Sequence, residues 1–257
     1  MEHNHIPKII HYCWFGHNEK PDAIKACMDS WKKFLPDWEI IEWNESNYDV
    51  QKIAYTSDAY NLKKWAFVSD YARFDVLYQY GGVYLDVDVE FIKPLPEELL
   101  EYRGFCGMEG SGKIAPGLIW GMQKGDPLLK EIMESYQNER FSYQADGIYK
   151  TVNTRLTEIM TQMGLQSNNA FQDVQGIAVY PSEFFCAYDT DVREPNLTEN
   201  TICWHHYYGS WQNPSVKTRM QNVLKKLVGV NGYRKILYFV RSIRKHDIVF
   251  HKNKRLD

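Results

Sequence analysis

The chain has 257 residues and a hydrophobic fraction of 44%, enough for one packed domain with an appendage. Its net charge of −3 hides an asymmetry: residues 217–257 hold 12 Lys and Arg against 2 Asp and Glu, while the rest of the chain holds 18 against 31. The acidic main part argues against nucleic-acid binding, the five scattered cysteines without a C-x-x-C pair argue against a disulfide framework or zinc ribbon, and no apolar run reaches the roughly 18–20 residues of a membrane helix. The polar start Met1-Glu2-His3-Asn4-His5 lacks a signal-peptide pattern, and with the odd cysteine count it predicts a cytoplasmic protein.

In chain order, Lys8 to Phe15 reads as a strand closed by Gly16, Pro21 to Phe34 as a helix, and Trp38 to Trp43 as a second strand. A strand–helix–strand opening points to an α/β sheet. One long helix is expected from about Tyr60 to Tyr80, stopped by Gly81-Gly82. Val83 to Ile92 is the most strand-like segment, and Pro94 and Pro96 end it. Phe105 to Glu109 and Ile114 to Gln123 read as strands around a Gly-Ser-Gly turn, and Pro127 to Gln137 and Tyr149 to Met163 as helices. Ile177 to Phe185 and Thr201 to Tyr208 read as late strands. Val216 to Val228 and Tyr233 to Phe250 read as basic, apolar helices of a tail, giving expected domains 1–215 and 216–257.

Within Val83 to Phe91 the odd positions are all apolar, and the even ones are Tyr84, Asp86, Asp88 and Glu90. As one alternating strand, this puts three carboxylates on one face, about 6.6 Å apart. At an effective dielectric near 20, each adjacent pair repels by about 2.5 kcal/mol. Solvent on an edge strand relieves that; so does a divalent ion that prefers oxygen ligands, Mg²⁺ or Mn²⁺. The position after Gly-Gly, with a wholly apolar opposite face, favours the metal.

On the preceding helix, Phe67, Phe74 and Leu77 form one apolar stripe, and Asp70 and Arg73 are neighbours three apart. By spacing they read as a surface ion pair worth a few tenths of a kcal/mol. The functional alternative puts the Arg73 fork on a diphosphate and Asp70 on sugar hydroxyls. Trp14, ending the first strand, is either a core indole or a platform for a nucleobase. In Trp204-His205-His206-Tyr207-Tyr208-Gly209-Ser210-Trp211, the paired histidines are either structural or a nitrogen donor to the same metal.

The run Ser69-Asp70-Tyr71-Ala72-Arg73 through Tyr80-Gly81-Gly82-Val83-Tyr84-Leu85-Asp86-Val87-Asp88 resembles the glycosyltransferase sugar-binding region containing the D-x-D motif, family 32, of the capsular polysaccharide type. It is also similar to the glucosyltransferase domain of large clostridial toxins. Ile6-Pro7-Lys8-Ile9-Ile10-His11-Tyr12-Cys13-Trp14-Phe15-Gly16, Trp43-Asn44, Pro181-Ser182-Glu183-Phe184-Phe185 and the His-His…Gly-Ser-Trp ending carry the same resemblance, which spans about residues 6–212. It implies a GT-A fold, a Rossmann-like nucleotide-sugar-binding domain with a mixed central sheet, an acceptor half from about residue 101, and transfer with retention.

The same resemblance implies that Trp14 stacks on the base, that Asp70 and Arg73 hold sugar and phosphate, and that Tyr84 touches the sugar–phosphate region. It puts Asp86 on ribose, sugar or metal-bound water and Asp88 on the metal, with His205 or His206 as a later ligand and Trp211 at the donor. The implied donor is a nucleotide sugar, a UDP-sugar ahead of GDP-mannose. The implied acceptor is a saccharide or lipid-linked oligosaccharide in surface polysaccharide synthesis. The chain departs from many relatives at Thr151-Val152-Asn153, where they carry Gly-Pro, so the acceptor is not read from the resemblance.

In the tail, Ile236, Leu237, Phe239, Val240 and Ile243 form an apolar band edged by Arg234, Lys235, Arg241, Arg244 and Lys245. That pattern suits an anionic membrane surface, and equally a packed helix with a solvated basic side. Tyr84 to Val89 also resembles the first motif of haloacid-dehalogenase-type phosphohydrolases, but no downstream acidic pair completes it. A catalytically silent sugar-nucleotide-binding module is the other alternative, and the intact Asp70, Arg73, Asp86 and Asp88 argue against it.

Overall fold

A computed structural model describes residues 5–142, 150–189, 192, 194–208 and 216–253, and in the last stretch the side chains at 220, 221 and 223–239. The elements follow the periodicity: β1 (Ile9–Cys13), α1 (Asp22–Phe34), β2 (Glu39–Trp43), α2 (Ala54–Asn61), α3 (Trp65–Tyr80), β3 (Gly82–Tyr84), β4 (Val89–Phe91), β5 (Gly104–Gly107), β6 (Trp120–Met122), α4 (Pro127–Glu134), α5 (Val152–Gln162), β7 (Gln172–Val174), β8 (Ile177–Tyr180) and α6 (Ser182–Phe185). A short 3-10 helix Glu97–Glu101, two-residue strands Tyr188–Asp189 and Glu194–Pro195, a strand Cys203–His205 and the tail helix Val216–Asn253 complete them.

Seven strands form one mixed sheet in the order β2-β1-β3-β6-β5-β8-β7. β1 is parallel to β2 and β3, β5 is parallel to β8, and β6 is antiparallel to both β3 and β5. The carboxyl ends of β1, β3 and β5 therefore share one edge, where ligands of open α/β sheets bind. A second, two-stranded sheet pairs β4 antiparallel with the Cys203–His205 strand.

Four expectations are corrected. The strand expected over Ile177 to Phe185 ends at Tyr180, and after Pro181 the chain turns into the one-turn helix α6, closed by the Cys186 amide on the Ser182 carbonyl (2.9 Å). The helix expected over Tyr60 to Tyr80 is two helices, because Lys63 takes a left-handed φ of 56° between α2 and α3. Helix α3 carries no single apolar stripe: Val68 and every residue from Asp70 to Leu77 are buried, so this helix is central. The strand expected over Val83 to Ile92 breaks at Leu85–Asp88, and β3 and β4 belong to different sheets. Tertiary partners cause the break. From α1, which buries Ile24, Cys27, Ser30 and Trp31 at helical spacing, the Trp31 indole donates to the Val89 carbonyl (2.7 Å), and the Ser30 hydroxyl accepts from the Phe91 amide (2.9 Å).

The turn into β3 uses both glycines. Gly81 and Gly82 have φ of 69° and 101°, and a Cβ on Gly82 would lie 2.6 Å from the Ile9 carbonyl oxygen. His11, fully buried in β1, donates from Nε2 to the Gly81 carbonyl (2.8 Å) and accepts at Nδ1 from the Trp43 indole (3.1 Å).

The described chain divides into two compact units, residues 1–188 with 195–208, and residues 189–194 with 209–257. In the second, the tail helix kinks at Gly229 (φ 71°), and Lys225 reaches the Val192 carbonyl (3.0 Å) and Glu194 (2.6 Å). Met220, Val223, Leu227, Ile236, Tyr238 and Phe239 are exposed along this helix, and Leu237 is half-buried. The side chains of Val240, Arg241, Ile243, Arg244 and Lys245 lie outside the described residues. No described helix is long and apolar enough to cross a membrane. All five cysteines are buried and free.

Candidate active site at the Asp-Val-Asp turn

The broken strand turns Asp86 and Asp88 toward one another's surroundings. The Asp86 amide donates to the Gly117 carbonyl (2.9 Å), the Val89 amide to the Asp86 carbonyl (3.1 Å) and the His206 amide to the Asp88 carbonyl (2.9 Å). Pairing His205 with Val89 and Trp204 with Glu90 then decides between the two histidines. The His205 Nε2 atom lies 3.1 Å from Asp88 and 3.9 Å from Asp86. His206 points the other way and meets Glu90 at 2.8 Å, with its ring between Trp204 and Tyr208. His206 and Glu90 therefore stand apart from the carboxylate pair, which corrects the shared face expected of three carboxylates and leaves His205, of the two candidate histidines, beside the carboxylate pair.

The Asp70–Arg73 pair is also corrected: it is buried rather than on the surface. Arg73 is 4% exposed; it meets Asp70 at 3.0 Å and Asp86 at 3.5 Å, and its Nε donates to the Ser69 carbonyl (3.0 Å). Its guanidinium lies 4.7 Å from the centre of the Tyr84 ring. Tyr84 is buried, and its hydroxyl donates to Asp86 (3.1 Å), so it supports Asp86 from beneath instead of lining an open cleft. Removing one partner from a buried pair of this kind costs about 3–5 kcal/mol.

These contacts set the charges. Burial pushes the Asp70 carboxyl up to about 6 against the pull of Arg73. Burial also opposes charge on Asp86, but Arg73 and His205 outweigh it and hold this carboxyl down at about 2. For His205, burial disfavours the charge, and Asp88 and Asp86 overcome it and raise the ring to about 9. The Tyr207 amide works against that pull, because it donates to His205 Nδ1 (3.0 Å), which must be bare to accept. Of the two, the hydrogen-bond geometry fixes where a proton sits, at Nε2 facing Asp88. A ring that ligates a cation through Nε2 carries its proton on Nδ1, so ligation and the Tyr207 amide contact exclude one another.

Two carboxylates and an imidazole nitrogen are a donor set suited to Mn²⁺ or Mg²⁺. Gly117 lets the loop close directly against Asp86: a Cβ there would lie 1.9 Å from Asp86 Oδ2. Among the described residues, no group of three or more His, Cys, Asp or Glu side chains is gathered as a finished metal cage. The fit is one of chemistry and direction, with His205 in contact with the carboxylates a cation would share.

Trp14 follows β1, half-buried; its indole donates to the Asn18 carbonyl (2.7 Å), and Lys20 lies 5.4 Å from the centre of its ring. Trp211, with Gly209 and Ser210, lies outside the described residues. Sequence reasoning missed Gly117 and His11. A lone glycine in a loop and a histidine inside an apolar strand carry no local signal of the close approach and the paired ring nitrogens found here.

The sheet order and the carboxylate turn at its carboxyl edge define a GT-A type fold. Residues 21–105 match the family described as glycosyltransferase sugar-binding region containing DXD motif. It is similar to inositol phosphoceramide mannosyltransferase 3 of Schizosaccharomyces pombe, 31% identical over 150 residues that cover 54% of this chain and 39% of that one. It is also similar to the Homo sapiens alpha-1,4-N-acetylglucosaminyltransferase, 25% identical over 188 residues covering 70% of this chain and 45% of that one. The aligned stretches thus span less than half of either relative. Among solved structures, PaToxG glycosyltransferase superposes with a TM-score of 0.47 at 20% identity, covering 62% of this chain and 69% of that one. The galactosyltransferase LgtC superposes with a TM-score of 0.43 at 13% identity, covering 84% and 94%.

Proposed function

We propose that this chain is a metal-dependent glycosyltransferase that moves a sugar from a nucleotide-sugar donor to a saccharide or lipid-linked glycan. The observation that carries the reading is the convergence of Asp86, Asp88 and His205 beside the buried Arg73. Asp86, Asp88 and His205 would hold the divalent ion, which when bound supplies Lewis acidity to the departing diphosphate. Arg73, fixed by Asp70, Ser69 and the Tyr84 ring, brings a preorganised positive charge to the same oxygens. Asp70, a carboxylate at neutral pH despite its burial, accepts sugar hydroxyls. Trp14 offers its indole to the base.

No side chain at the turn is placed as a free nucleophile: Asp86 is engaged by Tyr84 and Arg73, and Asp88 by His205 and the Tyr208 amide. The family resemblance implies retention, and a transfer in which the acceptor hydroxyl enters on the face of the leaving phosphate would need no such nucleophile; trapping a glycosylated side chain would count against that. A UDP-sugar is the donor we favour, with GDP-mannose the competitor, and surface polysaccharide the product class. The exposed apolar and basic tail is read as a contact for an anionic membrane surface.

The test is release of nucleoside diphosphate from UDP-glucose, UDP-galactose, UDP-N-acetylglucosamine and GDP-mannose, with Mn²⁺, with Mg²⁺ and with chelator. Metal-dependent release from one donor, lost in Asp88→Asn, supports the reading. Absence of both release and metal-dependent binding for every donor would refute it.

A further inference from the structure

The acceptor side of the cleft can be built from the same edge of the sheet. Asp86 lies two residues beyond the end of β3, and Glu109 lies two residues beyond the end of the parallel strand β5. Between them runs the loop 115–119. Its Gly117 abuts Asp86, and its Ala115 and Leu118 pack with Cys186, Tyr188 and Tyr207. Glu109 is half-buried and held in place: the Ser111 hydroxyl donates to one oxygen (2.7 Å), and the Asn153 amide, from the first turn of α5, to the other (3.4 Å). Thr157 of the same helix accepts the Ile114 amide (3.0 Å), so α5 is tied to the Glu109 hairpin.

Tyr207 is the strained member. Its φ of 52° is rare for a bulky residue, and such strain persists only where surroundings impose it. Here its hydroxyl meets the Cys186 thiol (3.2 Å), a contact that holds whichever ring nitrogen of His205 carries the proton. The ring is thereby aimed between the two halves of the site, 4.2 Å from the His205 ring and 4.7 Å from the Tyr188 ring, to which it is inclined by 45°.

We propose that Glu109, Asn153, Tyr188 and Tyr207 form the subsite that takes the terminal residue of the acceptor, a neutral hexopyranoside. The inference rests on the glycosyl-transfer reading. A pyranose has an apolar C–H face for the inclined tyrosine rings and a fork of hydroxyls for a carboxylate and an amide held side by side. Negative charge from Glu109 and Asp88 disfavours an anionic sugar.

The experiment measures donor turnover with Mn²⁺ in the presence of p-nitrophenyl glucoside, galactoside, mannoside and N-acetylglucosaminide, with p-nitrophenyl glucuronide as the anionic comparison. Affinity for the nucleoside diphosphate with Mn²⁺ is measured in parallel by calorimetry. A neutral hexoside should accelerate the wild type. Its KM should rise at least tenfold in Glu109→Gln and severalfold in Asn153→Ala, with diphosphate affinity changed less than twofold in both. Unchanged KM in the two variants, preference for the glucuronide, loss of diphosphate affinity in parallel with KM, or no acceleration by any hexoside would each overturn the subsite. No metal-dependent diphosphate binding by the wild type would sink the donor-site reading, and the subsite with it.

Discussion

Gly117→Ala tests the architecture of the site with a single methyl group. The added Cβ would lie 1.9 Å from Asp86 Oδ2, 2.8 Å from Asp86 Cγ and 3.2 Å from an Arg73 nitrogen. The first distance falls about 1.5 Å short of the 3.4 Å at which ordinary contact begins. Gly117 does not occupy the left-handed region, so alanine meets no backbone penalty and the perturbation is steric. Asp86 cannot yield freely, because Tyr84, Arg73 and its own amide contact with Gly117 hold it. Overpacking of this kind costs about 1–3 kcal/mol of stability. A displacement of about 1 Å at a reacting group costs on the order of 100-fold in rate. The expected result is a folded protein with a modestly lowered Tm and donor turnover reduced on the order of 100-fold. Thermal melts and diphosphate release check the two parts separately. Turnover within threefold of wild type, in a variant whose melt is unchanged, would refute the claim that Gly117 sets the position of Asp86.

Asp88→Asn should abolish the difference between Mn²⁺ and chelator and weaken diphosphate binding by at least the roughly 10–100-fold seen when a supporting residue of a metal site is lost; retained metal dependence in calorimetry would exclude Asp88 as a ligand. Arg73→Lys cannot reach Asp70, Asp86 and the Ser69 carbonyl together, so it should destabilise by about 3 kcal/mol in urea melts; a change under about 1 kcal/mol would mean that the buried pair contributes little. Burial lowers the His11 pKa from 6.5 to about 4, so the unfolded chain takes up the proton first, and stability present above pH 6.5 is lost as pH falls toward 4. The loss is about 3 kcal/mol, and urea titrations at pH 7 and 4.5 should find it smaller in His11→Gln. Phosphatidylserine vesicles should retain the full chain and phosphatidylcholine vesicles should not, with binding weakened by salt; equal retention would remove the electrostatic part of the tail reading.

What could be read in the sequence was chemistry more than geometry. Asp70, Arg73, Asp86 and Asp88 stand out because charged residues inside apolar periodicity need partners, and the structure brings Arg73 to both Asp70 and Asp86. Helix α1 was legible because its buried residues recur at helical spacing, and β1 because it is a short, almost wholly buried apolar run. Three features were hidden for one reason, that long-range contacts decide them. The alternation of Val83, Leu85, Val87 and Val89 fits an unbroken strand, and only the claims of α1 and the Cys203–His205 strand on β4 break it. The choice of His205 over His206 is a matter of register against Val89 and Glu90. The single apolar stripe assigned to α3 presumed a surface helix, whereas packing buries it on every side.

The break in the strand also decides which carboxylates share the site. In a continuous strand Glu90 would stand on the same face as Asp86 and Asp88, about 6.6 Å beyond the latter; past the break it meets His206 instead, at 2.8 Å. The turn, closed by Val89 on the Asp86 carbonyl, brings Asp88 and Asp86 within reach of His205 Nε2, at 3.1 and 3.9 Å. Beyond the local bonds from Val89 and Tyr84 to Asp86, the sequence does not favour a turn here: Val87 is β-branched, and no glycine lies within it. Its tethers come from three distant segments, Gly117 on the Asp86 amide, His206 on the Asp88 carbonyl and Trp31 on the Val89 carbonyl. The carboxylate repulsion and the turn are therefore offset only once α1, the 115–119 loop and the Cys203–His205 strand are all in place. A site built this way should lose metal affinity with each tether removed, even where no ligand is touched, and Trp31→Phe, which deletes one hydrogen bond and keeps an aromatic ring in the core, is the variant that separates this account from one in which the motif is sufficient by itself.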